Sequence, residues 1–511
     1  VGLYFNFYKK VILTVIILAL VYSCKKTSGN YQPEANDTTI HFFIDANKNP
    51  GLTSTKIPLE LKGDSATANV PGISSARSFV LDFSPDTGNV KVNGISQKSG
   101  VTVNDFTKPV TYTFTDSKGR TKAIKVSVTN FTGIPIFFLN TSAPVTSEDD
   151  YVTGSLSINT NGQFDAFPKS AALNIKGRGN STWLMPKKPY RIKFNSKQSV
   201  LGLPAAKNWV LLANYSDKTL MRDAVAFDIG HQFGADFTPH YRFVELVMNG
   251  VYQGSYMLTE QVEINEGRVD INELSTIDND ADNISGGYLL ELDIRLDADY
   301  FFSGNSGLPY TIKDPDDITP QQLDYIRNYI LQSEKAVYAD NFADPLNGYA
   351  KYINVDSFIN WYLVEELMKD NDAMDFSSIH YYKDLNGKLG MGPVWDLDLA
   401  AGNYVGTASN NPEGWWIRQG YLFSRLFQDP AFKARVKQRW QALQPKLPLI
   451  FANIDANAAY LNLSQQQNFK TWDIMNSNIW PVSQIAGSYQ GEIDYLKTWL
   501  KKRVDWMNAN M

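Results

Sequence analysis

The sequence predicts a multidomain protein, with an N-terminal all-β immunoglobulin-like sandwich followed by an α+β domain that ends in a helical C-terminal region. Three observations carry this expectation. Residues 38–132 consist of period-two runs separated by turn residues. At Gly133-Ile134-Pro135 the texture changes, and strand-like and helix-like segments alternate beyond it. Residues 412–511 are mostly helical in spacing and heavily aromatic, with Trp415, Trp416, Trp440, Trp499 and Trp506. In a chain of 511 residues, 43% hydrophobic and 13% aromatic content excludes a disordered protein and leaves room for two or three cores. A formal charge of −5 argues against a nucleic-acid partner held by global positive charge. One Cys and four His exclude a disulfide framework and a Cys-rich zinc site.

The first segment reads as an address. Lys9-Lys10 precede an apolar run, Val11 to Val21, and then Tyr22-Ser23-Cys24. A basic flank, a short apolar run and a small residue before the break are the pattern of a secretory signal, expected over 1–23. The run is shorter than the roughly 20 residues that a spanning helix needs. Cys24, the only cysteine, stands where bacterial lipoprotein signals place the lipidated residue. A lipid there would hold the chain at a membrane of the cell envelope, by burying acyl groups. Residues 24–37 read as a polar tether.

Within the sandwich, Val110, Tyr112 and Phe114 alternate with threonines, and Ile124, Val126 and Val128 alternate with polar residues. Asp116-Ser117-Lys118-Gly119 joins these runs as a turn. Nothing there looks catalytic, which suits a spacer or an adhesion module. In the domain from 133 to 511, strands are expected at Leu173–Lys176, Pro189–Phe194, Phe243–Met248 and Gly254–Thr259. Asn249-Gly250 is a strong hairpin turn between the last two. Leu220–Phe233 and Asp356–Lys369 have helical spacing, the second with Asp356 as its expected N-cap.

Three constellations could carry chemistry. Lys176-Gly177-Arg178-Gly179-Asn180-Ser181-Thr182-Trp183 is a short glycine loop with an arginine and hydroxyls. Lys187, Lys188, Arg191, Lys193 and Lys197 follow it. Such a loop offers amides and donors to an anion, and it is equally the composition of an ordinary β-turn. Asp370, Asp372 and Asp375 crowd the end of the second helix, where the helix dipole disfavours negative charge. Asp396 and Asp398 sit in an apolar stretch, Pro393 to Ala401. Buried carboxylates are paired or metal-bound, and an oxygen-only set suits Mg²⁺ or Mn²⁺. Asp278-Asn279-Asp280-Ala281-Asp282 begins like a calcium loop but lacks the sixth-position glycine and the twelfth-position Glu, so it reads as an acidic surface loop.

The order of parts is itself informative: glycine loop, lysine strand, helix, hairpin ending in Glu260, long helix, acidic loop, hairpin, buried Asp. Protein kinases lay out their parts in this order, although none of their short motifs is present in standard form. On these residues, together with Trp209–Asp217, Arg222, Tyr252–Tyr256, Gly286–Glu291, Asn371-Asp372-Ala373 and Pro393–Asp398, the chain resembles the spore-coat protein H (CotH) kinase family over about 135–405. Residues 38–130 resemble the immunoglobulin-like modules that precede such domains in Bacteroidetes surface lipoproteins.

The resemblance implies an atypical protein-kinase-like domain that moves the γ-phosphoryl of ATP to a protein hydroxyl. Lys193 would contact the α/β-phosphates; helix 220–233 has no Glu and offers only Asp223 and Asp228 as an acidic partner for it, with Glu260 or Glu263 as the alternatives. Arg178, Gly179, Asn180 and Ser181 would cradle phosphate. Asp372 would orient the acceptor hydroxyl, with Asp375 competing for that role. Asp396 and Asp398 would hold the metal. The implied partners are a nucleotide, an acceptor protein and, through Cys24, a membrane, with no nucleic acid. An exported kinase meets little ATP, so two other readings stand beside it. One is a non-catalytic surface-binding module that keeps the fold; the other is a different phosphate- or sugar-transfer enzyme.

Overall fold

The computed structural model describes residues 39–49, 56–70, 78–86, 89–130, 132–296, 299–481 and 484–511. The expected leader, Cys24 and the tether lie outside the described residues.

The N-terminal region is mostly β, as its alternation requires. A four-stranded sheet (Lys56–Pro58, His41–Asp45, Ser78–Ser84, Val103–Asp105) packs on a six-stranded one (Glu60–Lys62, Ser65–Val70, Thr121–Asn130, Val110–Thr115, Val90–Val92, Ile95–Ser96). The inward residues of both share one core, in which Phe42 meets the edges of Tyr112 and Phe114 at 5.3 and 5.8 Å. The expected hairpin is present, with Thr121 opposite Thr115.

Beyond Gly133 the chain builds a closed seven-stranded barrel. Its strands are β1 (Ile136–Thr141), β2 (Val152–Asn159), β3 (Ala171–Gly177), β4 (Tyr190–Gln198), β5 (Ala206–Leu212), β6 (Tyr241–Met248) and β7 (Val251–Glu260), in the order β1-β2-β3-β4-β5-β7-β6. Closure comes from β1 running parallel to β6, with Ile136 opposite Glu245. Asn249 and Gly250 both adopt positive φ, 50° and 79°, at the tip of the β6–β7 hairpin, which is why Asn-Gly marks that turn. The apolar run in β5 splits by pleat. Trp209 and Leu211 fill the barrel, while Val210 and Leu212 face outward onto helix α1 (Arg222–Phe233).

A five-stranded sheet follows: β8 (Tyr288–Leu292), β9 (Phe301–Ser303), β10 (Pro309–Asp314), β11 (Ile379–Lys383) and β12 (Leu389–Met391), in the order β9-β10-β8-β11-β12. Helix α2 (Pro320–Tyr338) starts with a capping box between Thr319 and Gln322. Helix α3 (Val355–Met368) is the axis of the large core, with 12 of its 14 residues buried. It is therefore a helix buried all round, not the one-faced amphipathic helix that its spacing implies. Its N-cap is Asn354, whose side chain accepts the Ser357 amide, and not Asp356, which lies one position inside.

The C-terminal region is helical as expected: α4 (Tyr421–Leu426), α5 (Pro430–Leu443), α6 (Leu447–Tyr460), α7 (Asn462–Thr471) and α8 (Tyr489–Asn510). Two buried cations fasten it. Arg503 on α8 reaches Glu366 on α3 at 2.6 Å, both side chains fully buried, and donates to the carbonyls of Glu366, Pro412 and Gly414. Glu366 also accepts the amides of Trp416 and Arg418. Lys187 is buried as well and donates to Ala213 O at 2.7 Å, to Ser255 O and to Asn468 Oδ1 of α7 at 2.9 Å. In the sequence it reads as one of a basic run facing an anion; in the fold it ties the barrel to α7. Among the described residues, no helix is long and apolar enough to cross a membrane.

Removing one member of a buried ion pair strands the other charge. Arg503→Met is expected to lower the unfolding free energy by about 3–5 kcal/mol in urea titrations, with much of that recovered when Glu366→Gln is added. A loss under about 1 kcal/mol would mean that the C-terminal helix is held by packing alone.

Candidate active site at the junction of barrel and helical core

The glycine loop is tight because it folds onto its own sequence. A Cβ on Gly177 would sit 2.5 Å from the Trp183 ring. Gly179 has φ +89°, and a Cβ there would meet Thr182 Oγ1 at 2.2 Å. Between them Arg178 projects out of the barrel and lays its guanidinium over the Trp395 ring, 5.6 Å from its centre. Trp395 is the neighbour of Asp396, so the loop delivers its arginine to the late acidic cluster. Asn180 and Ser181 remain exposed on the loop.

Opposite Arg178 the chain gathers carboxylates from three elements. Asp396 adopts a left-handed backbone, φ 68°, and accepts from Ser378 Oγ at 3.3 Å. Such backbone conformations in non-glycine residues concentrate at functional sites. Asp398 is buried and accepts from Ser216 Oγ at 3.3 Å. Asp223, in the first turn of α1, accepts the Leu397 amide at 2.8 Å. Asp372 follows α3 and is held by Asn371 Nδ2 at 2.7 Å. Behind it Asp370 is buried, with Oδ1 lacking a hydrogen-bond partner.

These groups feel one another. Burial, then the charge of Asp396, pushes the Asp223 carboxyl up to about 8. Asp398 is raised well above the carboxylate range by burial and then by Asp396, Asp223, Asp217 and Asp372. Asp370 is raised likewise by burial, Glu365, Asp372 and Asp396. Asp372 is raised by burial and by Asp396, against the opposing pull of Asn371 and Arg295. Burial lowers Arg178, and the carboxylates that pull it back are Asp396 first, then Asp223 and Glu291. Cation and acids thus share one field across the cleft.

Two contributors were hidden in the sequence. Glu291 on β8 accepts the Ser378 amide at 3.1 Å and pairs with Lys313 at 3.1 Å. Burial opposes its charge, but His380, Lys313 and Arg295 outweigh that and lower its pKa. His380 lies opposite Glu291 in the sheet and is buried, with Nδ1 unpartnered. A lone acid inside the otherwise apolar strand Tyr288–Leu292 was the available signal for Glu291. Asp223 was hidden as a member of the acidic cluster: the sequence offers it only as a possible partner for Lys193, and an acid in the first turn of a helix is otherwise ordinary.

The other expected residues lie elsewhere. Lys193 is exposed on the outer face of β4, two positions beyond Arg191. Arg191 is half-buried on the same strand, and its charge acts on Arg178. Glu260 is buried at the barrel end, where it accepts the His240 amide at 3.1 Å and faces His240 Nδ1 at 3.3 Å. Asp375 accepts the Tyr421 amide at 2.5 Å, at the start of α4. Among the described residues, no three Asp, Glu, His or Cys side chains cluster tightly enough to hold a metal by themselves. Mg²⁺ commonly takes only one or two protein carboxylates, the rest of its shell being phosphate and water. The under-partnered Asp396 and Asp398 fit that partial shell.

Compared with known families, residues 175–507 match the model described as CotH kinase protein. The chain belongs to the CotH kinase family. No curated protein matches it. The matched segment of this CotH chain contains Arg178, Asp223, Glu291, Asp372, Asp396 and Asp398, together with the helices that place them. It begins inside β3, so β1 and β2 of the barrel precede it.

The pKa of Asp223 yields a signed expectation. A carboxyl raised on folding stabilises fully below its unfolded value, near 3.8, and that contribution is lost as pH rises toward about 8. In buffer without nucleotide or divalent metal, wild type should therefore lose stability relative to Asp223→Asn between about pH 5 and pH 7, by up to roughly 1.4 kcal/mol per unit. Urea denaturation of both proteins across this range checks it: a stability difference that does not change with pH would mean that Asp223 is ionised in the folded state, against this expectation.

Proposed function

We propose that this CotH domain is an extracytoplasmic, metal-dependent phosphotransferase that moves the γ-phosphoryl of ATP to a protein hydroxyl. Its chain would be exported by residues 1–23 and held at the cell envelope by a lipid on Cys24. The β-rich region, taken as an immunoglobulin-like module, would space the catalytic domain from the membrane. The observation that carries the reading is the convergence on the segment 395–397 of Arg178, whose guanidinium lies over the Trp395 ring, with Asp396 and with Asp223, which accepts the Leu397 amide.

In this reading the γ-phosphorus–oxygen bond to the ADP leaving group breaks as a bond to the acceptor oxygen forms. Asp372 orients the acceptor hydroxyl and takes its proton; its raised pKa suits a base that must also release it. Arg178 and the amides of the 177–182 loop bind and orient the phosphates, with Arg191 adding positive charge and Lys193, two positions further along β4, contributing only from a distance. Asp396 and Asp398 would hold Mg²⁺ or Mn²⁺, which supplies charge neutralisation at the phosphates. Glu291, through the Ser378 amide and hydroxyl, fixes the orientation of Asp396. The alternative, a non-catalytic surface-binding protein that keeps the fold, is favoured by one observation: Lys193 is exposed on the outer face of β4.

Nucleotide titration separates the two. ATP with Mg²⁺ at a hundred times its dissociation constant should stabilise the chain by about 2.7 kcal/mol, read as a thermal shift. Absence of any shift at millimolar nucleotide would favour the binding protein. Asp396→Asn keeps the side-chain volume and removes a metal-ligating oxygen, so labelled-phosphate transfer should fall by at least about a hundredfold while the melting profile is retained. Arg178→Ala should weaken nucleotide binding more than Lys193→Ala, because only Arg178 is oriented toward the acids. Transfer at the wild-type rate in Asp396→Asn would remove Asp396 from the site.

A further inference from the structure

A second cavity, of about 580 Å³, opens away from the acidic cleft, between the barrel and the C-terminal helices. This lies within the usual range for small-molecule sites. It shares no residue with the site above. Its walls carry four aromatic rings: Phe164 from the loop after β2, Tyr241 and Phe243 at the start of β6, and Tyr460 at the end of α6. Beside them stand Gln163, which accepts the Tyr460 hydroxyl at 2.6 Å, and the pair His231 and His240, with ring centres 4.6 Å apart. Tyr241 and Phe243 meet edge to face at 5.3 Å, and Phe243 is 6.5 Å from Tyr460. A pocket of this make would ordinarily be filled by core side chains, yet Tyr460 is 37% exposed.

The polar groups in the wall decide what chemistry fits. Asp228 of α1 is held only by long hydrogen bonds, 3.2 Å from the Tyr241 hydroxyl and 3.3 Å from Asn453. Charge-assisted bonds are usually shorter, 2.7–2.9 Å, so this carboxylate retains accepting capacity. Asn457 gives its amide N–H to the Tyr241 hydroxyl at 3.1 Å, which leaves its carbonyl oxygen as an acceptor. Across the cavity Arg242 uses Nε and Nη1 on backbone carbonyls, leaving Nη2 as a donor. Its guanidinium already lies over the Phe164 ring, at 5.4 Å.

The ligand must therefore offer several hydroxyl-type donors to Asp228 and Asn457, an acceptor to Arg242, and an apolar face to the rings. An organic cation meets the aromatic walls but is repelled by Arg242, which occupies the Phe164 face. A strongly anionic ligand is repelled by Asp228, and the histidines do not offset this: burial favours neutral His231, and His240 faces Glu260 at 3.3 Å, which matches its charge. A neutral pyranose has apolar C–H faces and a rim of hydroxyls that both donate and accept. We infer that the cavity between β6, the 163–164 loop and α6 is a binding site for a neutral mono- or disaccharide. This assignment does not rest on phosphotransfer. It also places a ligand on α1, the helix that carries Asp223 in its first turn and Asp228 further along.

The full-length chain is titrated by calorimetry with methyl glucoside, N-acetylglucosamine and maltose, with choline as the cationic comparison. At least one sugar should give saturable heats with a dissociation constant in the millimolar range, while choline gives none. Tyr460→Ala removes a half-exposed ring and should weaken sugar binding roughly tenfold, the size of one aromatic contact. Asn457→Ala, which removes an acceptor with little change in packing, is the second variant and should weaken binding similarly. Asp396→Asn should leave sugar affinity unchanged, because the acidic cleft is a separate site. The assignment is overturned if no sugar produces heat at ~10 mM, if choline binds better than the sugars, or if both pocket variants keep wild-type affinity. Loss of sugar binding in Asp396→Asn would also overturn it, by moving the ligand to the acidic cleft.

Discussion

Like charge crowded into a low-dielectric cleft is the constraint on which this molecule depends. Asp223, Asp372, Asp396 and Asp398 come from three separate stretches of chain, and Asp396 raises the pKa of each of the other three. Such a gathering persists only if the rest of the fold holds it, or if positive charge is brought to it. The protein does both. Arg178 arrives from the barrel on a loop whose glycines are required by its own tryptophan and threonine. The acids arrive on α1, on the turn after α3, and on the segment after β12, each anchored by at least one hydrogen bond.

The surrounding architecture supplies the rigidity. Helix α3 is buried along nearly its whole length, so the turn that carries Asp372 starts from a fixed end. Glu366 on that helix is saturated by Arg503 and two amides, which locks the last helix of the chain against the helix that leads into Asp372. Lys187 does the same between the barrel and α7. Both cations donate to backbone carbonyls as well as to side chains, so neither is a simple ion pair, and both span long sequence separations.

Local features were legible in the sequence, and closure was not. The Asn249-Gly250 turn, the β-rich first region, the helical C-terminal part and the hairpin between Asp372 and Asp396 all follow from periodicity and turn chemistry. The barrel does not, because β1 pairs in parallel with β6 across a separation of more than a hundred residues, which no local pattern encodes. In the site, the acids at 372, 396 and 398 and the arginine at 178 stood out by composition. Glu291 did not, since it sits in a strand, and Asp223 was legible only as a possible partner for Lys193, not as the neighbour of Asp396, because it sits at an ordinary helix start. Lys187 misled for a physical reason: a buried lysine satisfied by carbonyls is indistinguishable in sequence from one that awaits an anion.

Barrel closure has a practical consequence for anyone who cuts this chain. The segment that matches the family begins at residue 175, part-way along the third stave. A fragment begun there would leave the fourth and sixth staves each without a neighbour, exposing two raw sheet margins and the apolar lining behind them. Unpaired margins of that kind recruit other copies of themselves. A workable excision must therefore start upstream of Ile136, so that the hoop is whole before the helices dock on it.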